Sequence, residues 1–458
     1  NAQYVELFNN STNYAYDLSG WWFDGLNYIF PAGTVMAPRS FLVLARDRAA
    51  CTAAYGAVPI FDVFPATLPA QGATLTLIHY GPTPDLDAII DRVRYEIVPP
   101  WPPWGNAGGT PLQLIDATQD NNRVCNWSYG PGWQYVSYTG APKGSRLQIY
   151  LSMGGNVYLD DISLVPGTVA GVGSNYVMNG DFENTLEGTW RAIGNSTNTT
   201  LITGIQHSGS NSLRLVMGSP AGATNYLYQD LPLPDTVKTN VCTLSFWYLP
   251  TINTNTLTMW MNSLFMPKTT LRQVLATPGT NNTFAATIPP IPPLWINEIQ
   301  PLNLSGLTDS AGQHEPWIEL FNAGTNAVSL DGLYLADNYT NLTQWAFPTD
   351  AVINPGEFKV IVADGETNQS TLAELHTSFR LAATNGAIAL ARLRAGQPEV
   401  LDYINYAGVP ANYPYGAVPD GQPFDRVLLF HGTPGVSNAG ANTPPVLTPV
   451  SDLTTGPR

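Results

Sequence analysis

Charged side chains are scarce in this sequence: Asp, Glu, Lys and Arg make up 12% of its 458 residues. Basic residues are the rarer sign, with 19 Lys and Arg against 34 Asp and Glu, so the net charge is −15 at pH 7. Nucleic-acid binding relies on clustered Lys and Arg side chains that neutralise phosphates. The sequence contains no such cluster, and we expect no nucleic-acid partner.

Long apolar runs and helical periodicity are also missing. No apolar segment approaches the roughly 20 residues that a membrane-spanning helix needs, so we expect no membrane insertion. No long stretch repeats its apolar residues at helical spacing. Short alternating segments rich in β-branched and aromatic residues, such as Phe41-Leu42-Val43-Leu44-Ala45, are instead separated by Gly, Pro and Asn. This pattern predicts an all-β protein.

Cysteine is nearly absent, with three residues in the chain. Cys51 and Cys125 lie in the same N-terminal part and could form a disulfide there, whereas Cys242 is expected to be a buried thiol. Neither arrangement implies a metal site.

Familiar catalytic motifs are absent as well. The five histidines are scattered, without a His-Glu-x-x-His sequence or a second histidine at metal-ligand spacing. Neither a Gly-x-Ser-x-Gly elbow nor a phosphate-binding glycine loop is present. Acid pairs of the glycosidase type are defined by their separation in space and leave no signature in sequence. We expect no enzymatic activity.

A long-range repeat is the main feature that the sequence does contain. The segment Trp317-Ile318-Glu319-Leu320-Phe321-Asn322 repeats Tyr4-Val5-Glu6-Leu7-Phe8-Asn9. Both copies continue with Leu-x-Gly and Phe-Pro, and Leu401-Asp402-Tyr403-Ile404-Asn405-Tyr406 answers Ile90-Asp91-Arg92-Val93-Arg94-Tyr95. Self-similarity of this kind predicts two homologous domains, and the short strands predict β-sandwiches. A doubled position such as Glu6 and Glu319 more often serves the fold than a reaction.

The repeated motifs, with Leu330-Asp331-Gly332-Leu333 and Ile353-Asn354-Pro355-Gly356-Glu357-Phe358, resemble the lamin tail domain. The resemblance covers roughly residues 1–126 and 294–441. It implies an immunoglobulin-like β-sandwich of the kind found in secreted bacterial multi-module proteins, with a binding or scaffolding role and no reaction.

The segment between the repeats resembles a jelly-roll carbohydrate-binding module in reversed order. Val157-Tyr158-Leu159-Asp160-Asp161-Ile162-Ser163-Leu164 is similar to the last strands of such a module, and Asn179-Gly180-Asp181-Phe182-Glu183 is similar to its first. We expect residues 127–165 to close a jelly roll that begins at 174, as in a circular permutation. Two half-modules paired between molecules are the alternative.

The predicted fold is therefore all-β, with two immunoglobulin-like sandwiches flanking one jelly-roll sandwich of permuted strand order. The domains are a lamin-tail-like sandwich lacking its first strand (1–126), a carbohydrate-module-like jelly roll (127–285), a Pro-rich linker (286–294), a second lamin-tail-like sandwich (295–441) and a C-terminal tail (442–458).

The resemblance to carbohydrate modules implies two kinds of site. A structural Ca²⁺ would be held by carboxylates of the two matching segments: Glu183 and Asp161, with Asp181 and Asp160 as further candidates. The alternative is that these acids cap strand ends in solvent. Polysaccharide would stack on exposed aromatic faces, for which the candidates are Trp190, Trp247, Tyr248 and Trp260. Most aromatic residues of this module are expected in its core.

An incomplete first sandwich and a loose terminal segment together suggest assembly. A strand ahead of Trp317 opens the second repeat, at Leu294-Trp295-Ile296-Asn297-Glu298-Ile299, but only three residues precede Tyr4. An unpaired edge accepts another strand. We expect copies of the chain to assemble head-to-tail, with residues Tyr4, Val5 and Leu7 of one copy against Val446, Leu447 and Val450 of the next. A proteolytic fragment is the alternative.

Asn-x-Ser/Thr sequons and a surface rich in Thr and Asn indicate an extracellular or cell-surface protein. The sequons lie at Asn10, Asn126, Asn195, Asn198, Asn303, Asn338, Asn341 and Asn368. They mark either glycosylation or only an Asn-rich surface. The sequence as a whole favours a non-catalytic structural or adhesive subunit of an extracellular filament, with a secreted carbohydrate-binding accessory protein or a fragment of a larger surface protein as the alternative.

Overall fold

The computed structural model describes residues 2–83, 86–101, 111–128, 132–203, 205–219, 224–249, 255–262, 265, 267–271, 276–282 and 285–439. They divide into two compact units: the first comprises residues 1–118 and 127–287, and the second residues 119–126 and 288–458. Strands dominate both units, as predicted, and the α-helices are α1 (Arg48–Tyr55) and α2 (Asp235–Thr239). None of the described helices is long and apolar enough to cross a membrane.

The first unit begins with an N-terminal sandwich. Its strands are β1 (Tyr4–Phe8), β2 (Tyr16–Asp17), β3 (Trp22–Asp24), β4 (Tyr28–Ile29), β5 (Val35–Met36), β6 (Phe41–Ala45), β7 (Ile60–Val63), β8 (Gly72–His79), β9 (Ala88–Glu96), β10 (Gln113–Leu114) and β11 (Trp127–Ser128). They form sheets in the orders β1-β6-β7 and β4-β3-β8-β9, with the small pairs β2-β5 and β10-β11. Leu26, Phe30, Leu44 and Phe64 lie in the core between the two larger sheets.

A second sandwich follows within the same unit. Its strands are β12 (Gln134–Gly140), β13 (Arg146–Leu151), β14 (Gly155–Pro166), β15 (Arg191–Ile193), β16 (Thr200–Thr203), β17 (Asn211–Met217), β18 (Tyr226–Asp230), β19 (Cys242–Leu249), β20 (Thr256–Trp260) and β21 (Lys268–Thr270). The two sheets have the orders β12-β19-β14-β17-β16 and β15-β18-β13-β20-β21. The early strands β12, β13 and β14 thus pair with later strands in both sheets, and both sheets bury their alternate apolar residues in one core.

After the middle sandwich the chain returns to the N-terminal one. The side-chain amide of Asn282 donates to the carbonyl of Leu114 at 2.9 Å, and the backbone N–H of Ala286 donates to Ile115 at 2.9 Å. Residues 276–282 therefore complete the N-terminal sandwich, although the sequence prediction assigned them to the jelly roll. The middle sandwich is an insertion.

The second unit contains the C-terminal sandwich. Its strands are β22 (Leu294–Gln300), β23 (Trp317–Asn322), β24 (Val328–Ser329), β25 (Leu333–Ala336), β26 (Trp345–Ala346), β27 (Val352–Ile353), β28 (Phe358–Val362), β29 (Leu375–His376), β30 (Asn385–Arg394), β31 (Gln397–Ala407), β32 (Tyr415–Ala417) and β33 (Arg426–Leu428). The main sheets have the orders β29-β28-β23-β22-β32-β33 and β26-β25-β30-β31, and β24 pairs with β27.

Residues 119–126 belong to this second unit and not to the first domain, where the sequence prediction placed them. The Arg123 guanidinium is buried over the Trp295 ring, 3.3 Å from its centroid, and donates to the Leu294 carbonyl at 2.7 Å. Cys125 packs in the apolar core of the C-terminal sandwich.

The N-terminal and C-terminal sandwiches share their strand pairing. β6 pairs in parallel with β7, as β28 does with β29, and the hairpins β8-β9 and β30-β31 carry a bulge at the same place. Phe8 stacks on Phe41 with ring centroids 4.6 Å apart, and Phe321 stacks on Phe358 at 4.4 Å. These pairs put the repeated sequence motifs in matching positions.

The predicted disulfide between Cys51 and Cys125 is wrong. All three cysteines are free and buried. Cys51 lies in α1 beneath Tyr4 and Tyr55, within the first unit, whereas Cys125 belongs to the core of the second. Burial raises the pKa of each thiol, which disfavours the reactive thiolate.

Candidate functional site

The opening strand β22 occupies a central position in the C-terminal sandwich. It pairs antiparallel with β23 on one side and with β32 on the other. All of its seven residues are buried. Its apolar side chains Leu294, Ile296 and Ile299 enter the core, while Asn297 and Glu298 face a polar segment at 433–438.

Three carboxylates and this polar segment surround the middle of β22. Glu298 accepts hydrogen bonds from the Thr433 backbone N–H at 3.1 Å and from its hydroxyl at 2.8 Å. Glu319 accepts from the Gly435 N–H at 2.6 Å and from the Asn297 amide at 3.2 Å. The same Asn297 amide donates to Asp420 at 3.0 Å. β22 is thus tied to its neighbours by side chains as well as by backbone.

Burial dominates the electrostatics of this cluster. It raises the pKa of Glu319 to about 8 and that of Glu298 to about 7, because a buried carboxylate loses its hydration. The hydrogen bonds from Gly435 and Thr433 act in the opposite direction. The charge on Glu298 adds to the rise at Glu319. We call the place that β22 occupies between β23 and β32 the filled strand position. Its surroundings favour the neutral forms of Glu298 and Glu319.

The N-terminal sandwich has a similar set of polar contacts, which we call the polar frame: a buried strand glutamate, a glycine N–H that donates to it, and an asparagine three residues after that glycine. Glu6 on β1 accepts from the backbone N–H of Gly279, as Glu319 on β23 accepts from Gly435. Gly279 and Gly435 have φ of +88° and +83°, a conformation that glycine adopts without strain. Burial raises the pKa of Glu6 to about 7.

Asn282 holds β10 as Asn438 holds β32. Its side-chain amide donates to the Leu114 carbonyl at 2.9 Å, and that of Asn438 donates to the Ala417 carbonyl at 2.9 Å. The signal for this segment is visible in the sequence, because Thr277-Pro278-Gly279 and Thr433-Pro434-Gly435 both lead to Asn three residues later. Our sequence analysis missed it, since some 150 residues of another sandwich intervene.

One strand of this arrangement is not found among the described residues. There β1 pairs with β6 and β10 with β11, and no described strand occupies the position equivalent to β22. The exposure of matched apolar side chains differs between the two sandwiches in the same sense. Leu401 at the bulge of β31 is 1% exposed, whereas its counterpart Ile90 at the bulge of β9 is 48% exposed. We call the position flanked by β1 and β10 the open strand position.

The predicted assembly residues divide between described and undescribed parts of the chain. Tyr4, Val5 and Leu7 lie on β1, half-buried, with Tyr4 and Val5 paired to Ala45 and Leu44 of β6. Val446, Leu447 and Val450 lie outside the described residues.

Three of the predicted calcium residues meet at one turn of the middle sandwich. Asp160 accepts from the backbone N–H of His207 at 2.8 Å, Asp161 contacts the His207 ring nitrogen at 2.6 Å, and Glu183 accepts from the Ser210 N–H at 2.7 Å. A bulge after Asp160 allows both neighbouring aspartates to reach this turn, although strand alternation would separate them. Asp181 is exposed elsewhere.

These hydrogen bonds already provide partners for the carboxylates at the turn. Burial raises the pKa of Asp160 to about 6, against the effect of the N–H donors. Within the described ranges, no three His, Cys, Asp or Glu side chains are grouped so that they could hold a metal ion. Calcium binding stays a prediction.

The sugar-binding candidates differ in their access to solvent. Trp190 and Tyr248 are buried in the core of the middle sandwich, so they cannot present a face to a sugar and this part of the prediction is wrong. Trp247 is half-buried beneath the His207 ring, which stacks on it at 3.8 Å. Trp260 is half-buried on the outer face of the other sheet. Strand alternation predicts that the adjacent residues Trp247 and Tyr248 point to opposite faces of the sheet, but it does not indicate which of the two points into the core.

The sequons also divide by burial. Asn126 and Asn303 are buried, and their side-chain amides donate to backbone carbonyls. A glycan on either is incompatible with the fold, which corrects the prediction for these two. The remaining six lie on the surface or half-buried at Asn10, Asn195, Asn198, Asn338, Asn341 and Asn368.

Comparison with known protein families identifies part of the C-terminal sandwich. Neither the curated proteins nor the solved structures contain a match. Residues 289–408, which run from the segment before β22 to the end of β31, match the model of the lamin tail domain, an immunoglobulin-like β-sandwich family.

Proposed function

We propose that this chain is a non-catalytic structural or adhesive protein of the extracellular space, assembled head-to-tail by strand complementation. The N-terminal sandwich is a second lamin-tail-like copy, and the middle sandwich is a carbohydrate-module-like insertion. The observation that carries the proposal is the open strand position beside β1. In the C-terminal sandwich, β31 with the counterpart Leu401 packs against both β22 and residues 124–126, so a neighbouring copy that donates a strand gains part of this apolar burial.

Other features support an extracellular structural role. The lamin tail family and the all-β architecture are typical of binding and scaffolding modules. Unpaired strand edges promote association between chains. Four sequon asparagines are exposed, at Asn10, Asn198, Asn341 and Asn368, and would be open to glycosylation. Calcium at the turn around His207 would stiffen the insertion. A contact between unlike surfaces that does not close into a ring generates a filament.

The test is sedimentation of the chain with and without its C-terminal tail. The intact chain is expected to form polymers whose size grows with concentration, and deletion of residues 443–458 is expected to release monomers. Replacing Val446 and Leu447 with Asp should have the same effect. Replacing Thr454 and Thr455 with Asp is the matched control and should leave the polymers intact. A chain that stays monomeric at tens of micromolar contradicts the proposal.

A carbohydrate-binding role is the second candidate, supported by one row of side chains on the middle sandwich. Gln148 of β13 lies directly between Tyr228 of β18 and Trp260 of β20 on the outer face of their sheet. The Arg146 guanidinium lies 4.4 Å from the centre of the Tyr228 ring. Tyr228 is buried, so the half-buried Trp260 ring beside the Gln148 amide is the part of this row that suits a pyranose. Affinity electrophoresis with W260A should show reduced retardation by polysaccharide, whether or not the tail is present.

A further inference from the structure

A buried histidine of the C-terminal sandwich has both of its ring nitrogens against carboxylates. His376 is the last residue of β29, which pairs in parallel with β28, and its side chain is fully buried. Its Nδ1 lies 2.8 Å from an oxygen of Asp364, and its Nε2 lies 3.2 Å from an oxygen of Glu374. A neutral imidazole has one N–H and can donate to only one of these acids. The arrangement therefore suits the imidazolium, whose two N–H groups serve both.

The two acids differ in what else they contact. Asp364 is 1% exposed and also accepts from the Glu366 N–H at 2.9 Å, so it is fixed inside the sandwich. Glu374 is 28% exposed, and it accepts from the Ser310 N–H at 3.0 Å and from the Ser310 hydroxyl at 2.6 Å. Ser310 lies in the β22–β23 loop, residues 301–316. Glu374 thus connects the buried ring to an exposed loop.

Charged groups on the surrounding elements have partners of their own. Lys359 on β28 donates to a backbone carbonyl at 3.2 Å. Arg380 faces Asp364 in an isolated β-bridge, and its guanidinium pairs with Glu315 of the loop. Asp309 closes a turn of the loop by accepting from a backbone N–H at 2.7 Å. The two acids at the ring nitrogens are therefore the groups that set its charge.

The N-terminal sandwich shows that a fold of this kind forms without the histidine. Val63 of β7 pairs with the residue opposite Tyr4, as His376 of β29 pairs with the residue opposite Trp317, and Val63 is exposed. Asp47, the counterpart of Asp364, caps α1 by accepting from a backbone N–H at 2.9 Å. Packing of the repeated strands alone does not account for the buried ring.

The charge state of this cluster depends on pH within a defined window. Burial lowers the pKa of His376, but the hydrogen bonds to Asp364 and Glu374 outweigh burial and raise this pKa above its ordinary value of 6.5. The hydrogen bond from Ser310 holds the pKa of Glu374 below its ordinary value of 4.5. The contact between the charged ring and Glu374 is thus complete between about pH 4.5 and 6.5. It is lost as the pH rises through the pKa of His376 or falls through that of Glu374.

We infer that Asp364, His376 and Glu374 form a pH-operated latch that holds the β22–β23 loop against the sandwich and releases it in alkaline surroundings. A ring that has lost one proton keeps one N–H. Asp364 retains this N–H, because a buried carboxylate without a donor is costly, whereas the more exposed Glu374 can turn to water. Its rotation removes the acceptor of Ser310, and the turn at residues 307–313 opens. The latch is independent of strand complementation.

The experiment follows amide hydrogen exchange of the intact chain at pH 6, 7.5 and 9, corrected for the intrinsic pH dependence of exchange. Peptides covering residues 303–313 report on the loop, and peptides covering Trp317–Asn322 report on opening of the whole sandwich. We expect corrected loop exchange to be at least tenfold faster at pH 9 than at pH 6. At every pH the loop should also exchange at least tenfold faster than β23, which identifies its opening as local.

Glu374→Gln is the decisive variant. Its amide oxygen still accepts from Ser310, and its amide N–H can donate to the lone pair of the neutral His376 ring, so corrected loop exchange at pH 6 and pH 9 should agree within twofold. Glu357→Gln is the matched control, because Glu357 is a half-buried acid of the same sandwich that accepts from the Asn354 N–H at 2.7 Å. This control should follow the parent. Loop exchange that rises with pH in E374Q as in the parent, or that does not rise in the parent, overturns the latch.

Ring ¹⁵N chemical shifts provide a readout that a folding defect does not mimic. Both nitrogens of His376 should carry protons at pH 6, and Nε2 should lose its proton as the pH rises. The signals of His376 are those among the five histidines that move in E374Q. A neutral His376 ring in the parent at pH 6 overturns the inference, whatever the exchange data show.

Discussion

The acids beneath β22 predict a specific pH dependence of stability in the C-terminal sandwich. Glu319 has a pKa of about 8 in the fold because burial disfavours its charged form. An unfolded glutamate has a pKa near 4.5, so the folded chain holds a proton that the unfolded chain has lost between these values. Stability contributed by the neutral acid is therefore complete below pH 4.5 and is lost as the pH rises through 8.

The magnitude follows from the displacement of the pKa. Each unit corresponds to about 1.4 kcal/mol, so we expect the titration of Glu319 to lower the free energy of unfolding of this sandwich by roughly 4 kcal/mol between pH 5 and pH 9. Glu319→Gln removes the titrating group while keeping an oxygen that accepts from Gly435. Glu298, whose pKa burial raises to about 7, titrates in the same range, so the variant should lose about half of the pH dependence. It should also cost about 1 kcal/mol at pH 5 for the altered hydrogen bond to Asn297.

The assay must report on this sandwich alone. Pulsed hydrogen exchange at increasing urea, read by mass spectrometry on peptides covering Trp317–Asn322, gives the unfolding midpoint of β23 at each pH. Asp331→Asn, which neutralises an exposed acid of the same sandwich, is the control and should follow the parent. An E319Q variant whose midpoint falls with pH as steeply as that of the parent would refute the assignment of the titration to Glu319.

Other predictions concern burial at matched positions. Leu401→Asp should destabilise the C-terminal sandwich by more than about 3 kcal/mol in urea melts, because it buries an unpaired charge. Ile90→Asp should change stability by no more than about 0.5 kcal/mol, because Ile90 is half exposed. Equal losses in the two variants would contradict the open strand position. Asp160→Ala should cost about 1–3 kcal/mol and release the turn around His207, seen as faster exchange of its amides; unchanged exchange would count against that anchor. All three thiols should resist Ellman's reagent in the native chain and react after unfolding without reductant, and a recovery of only one thiol would restore the disulfide.

Much of the fold could be predicted because the repeat preserves local signals. The alternation of Tyr4–Phe8 and Trp317–Asn322 was enough to predict a β-strand at each segment, and both are strands. That β1 lacks its usual neighbour stays a prediction, and within the described ranges β1 pairs with β6. These features depend on residues close together in sequence, and binary patterning determines them.

The rest depended on contacts between distant segments. The link between Glu6 and Gly279 spans 273 residues and no local pattern indicates it. Cys125 lies in the second unit because Arg123 inserts beside Trp295, which spacing between cysteines cannot reveal. Tyr248 faces inward because the parity of β19 is set by the sheet that covers it, and its own sequence neighbours do not fix it. Trp190, which precedes β15, is held inward where its indole N–H donates to the Asn179 carbonyl.

The insertion of the middle sandwich affects how the protein forms during translation. Gly279 follows Glu6 by 273 residues in the chain, so β1 is synthesised long before this partner. Closing so long a loop is slow unless the inserted sandwich has already folded and brought its two ends together. Until then, the edge of β1 opposite β6 is the part of this sandwich most exposed to premature association, and a chaperone that holds extended strands would act there.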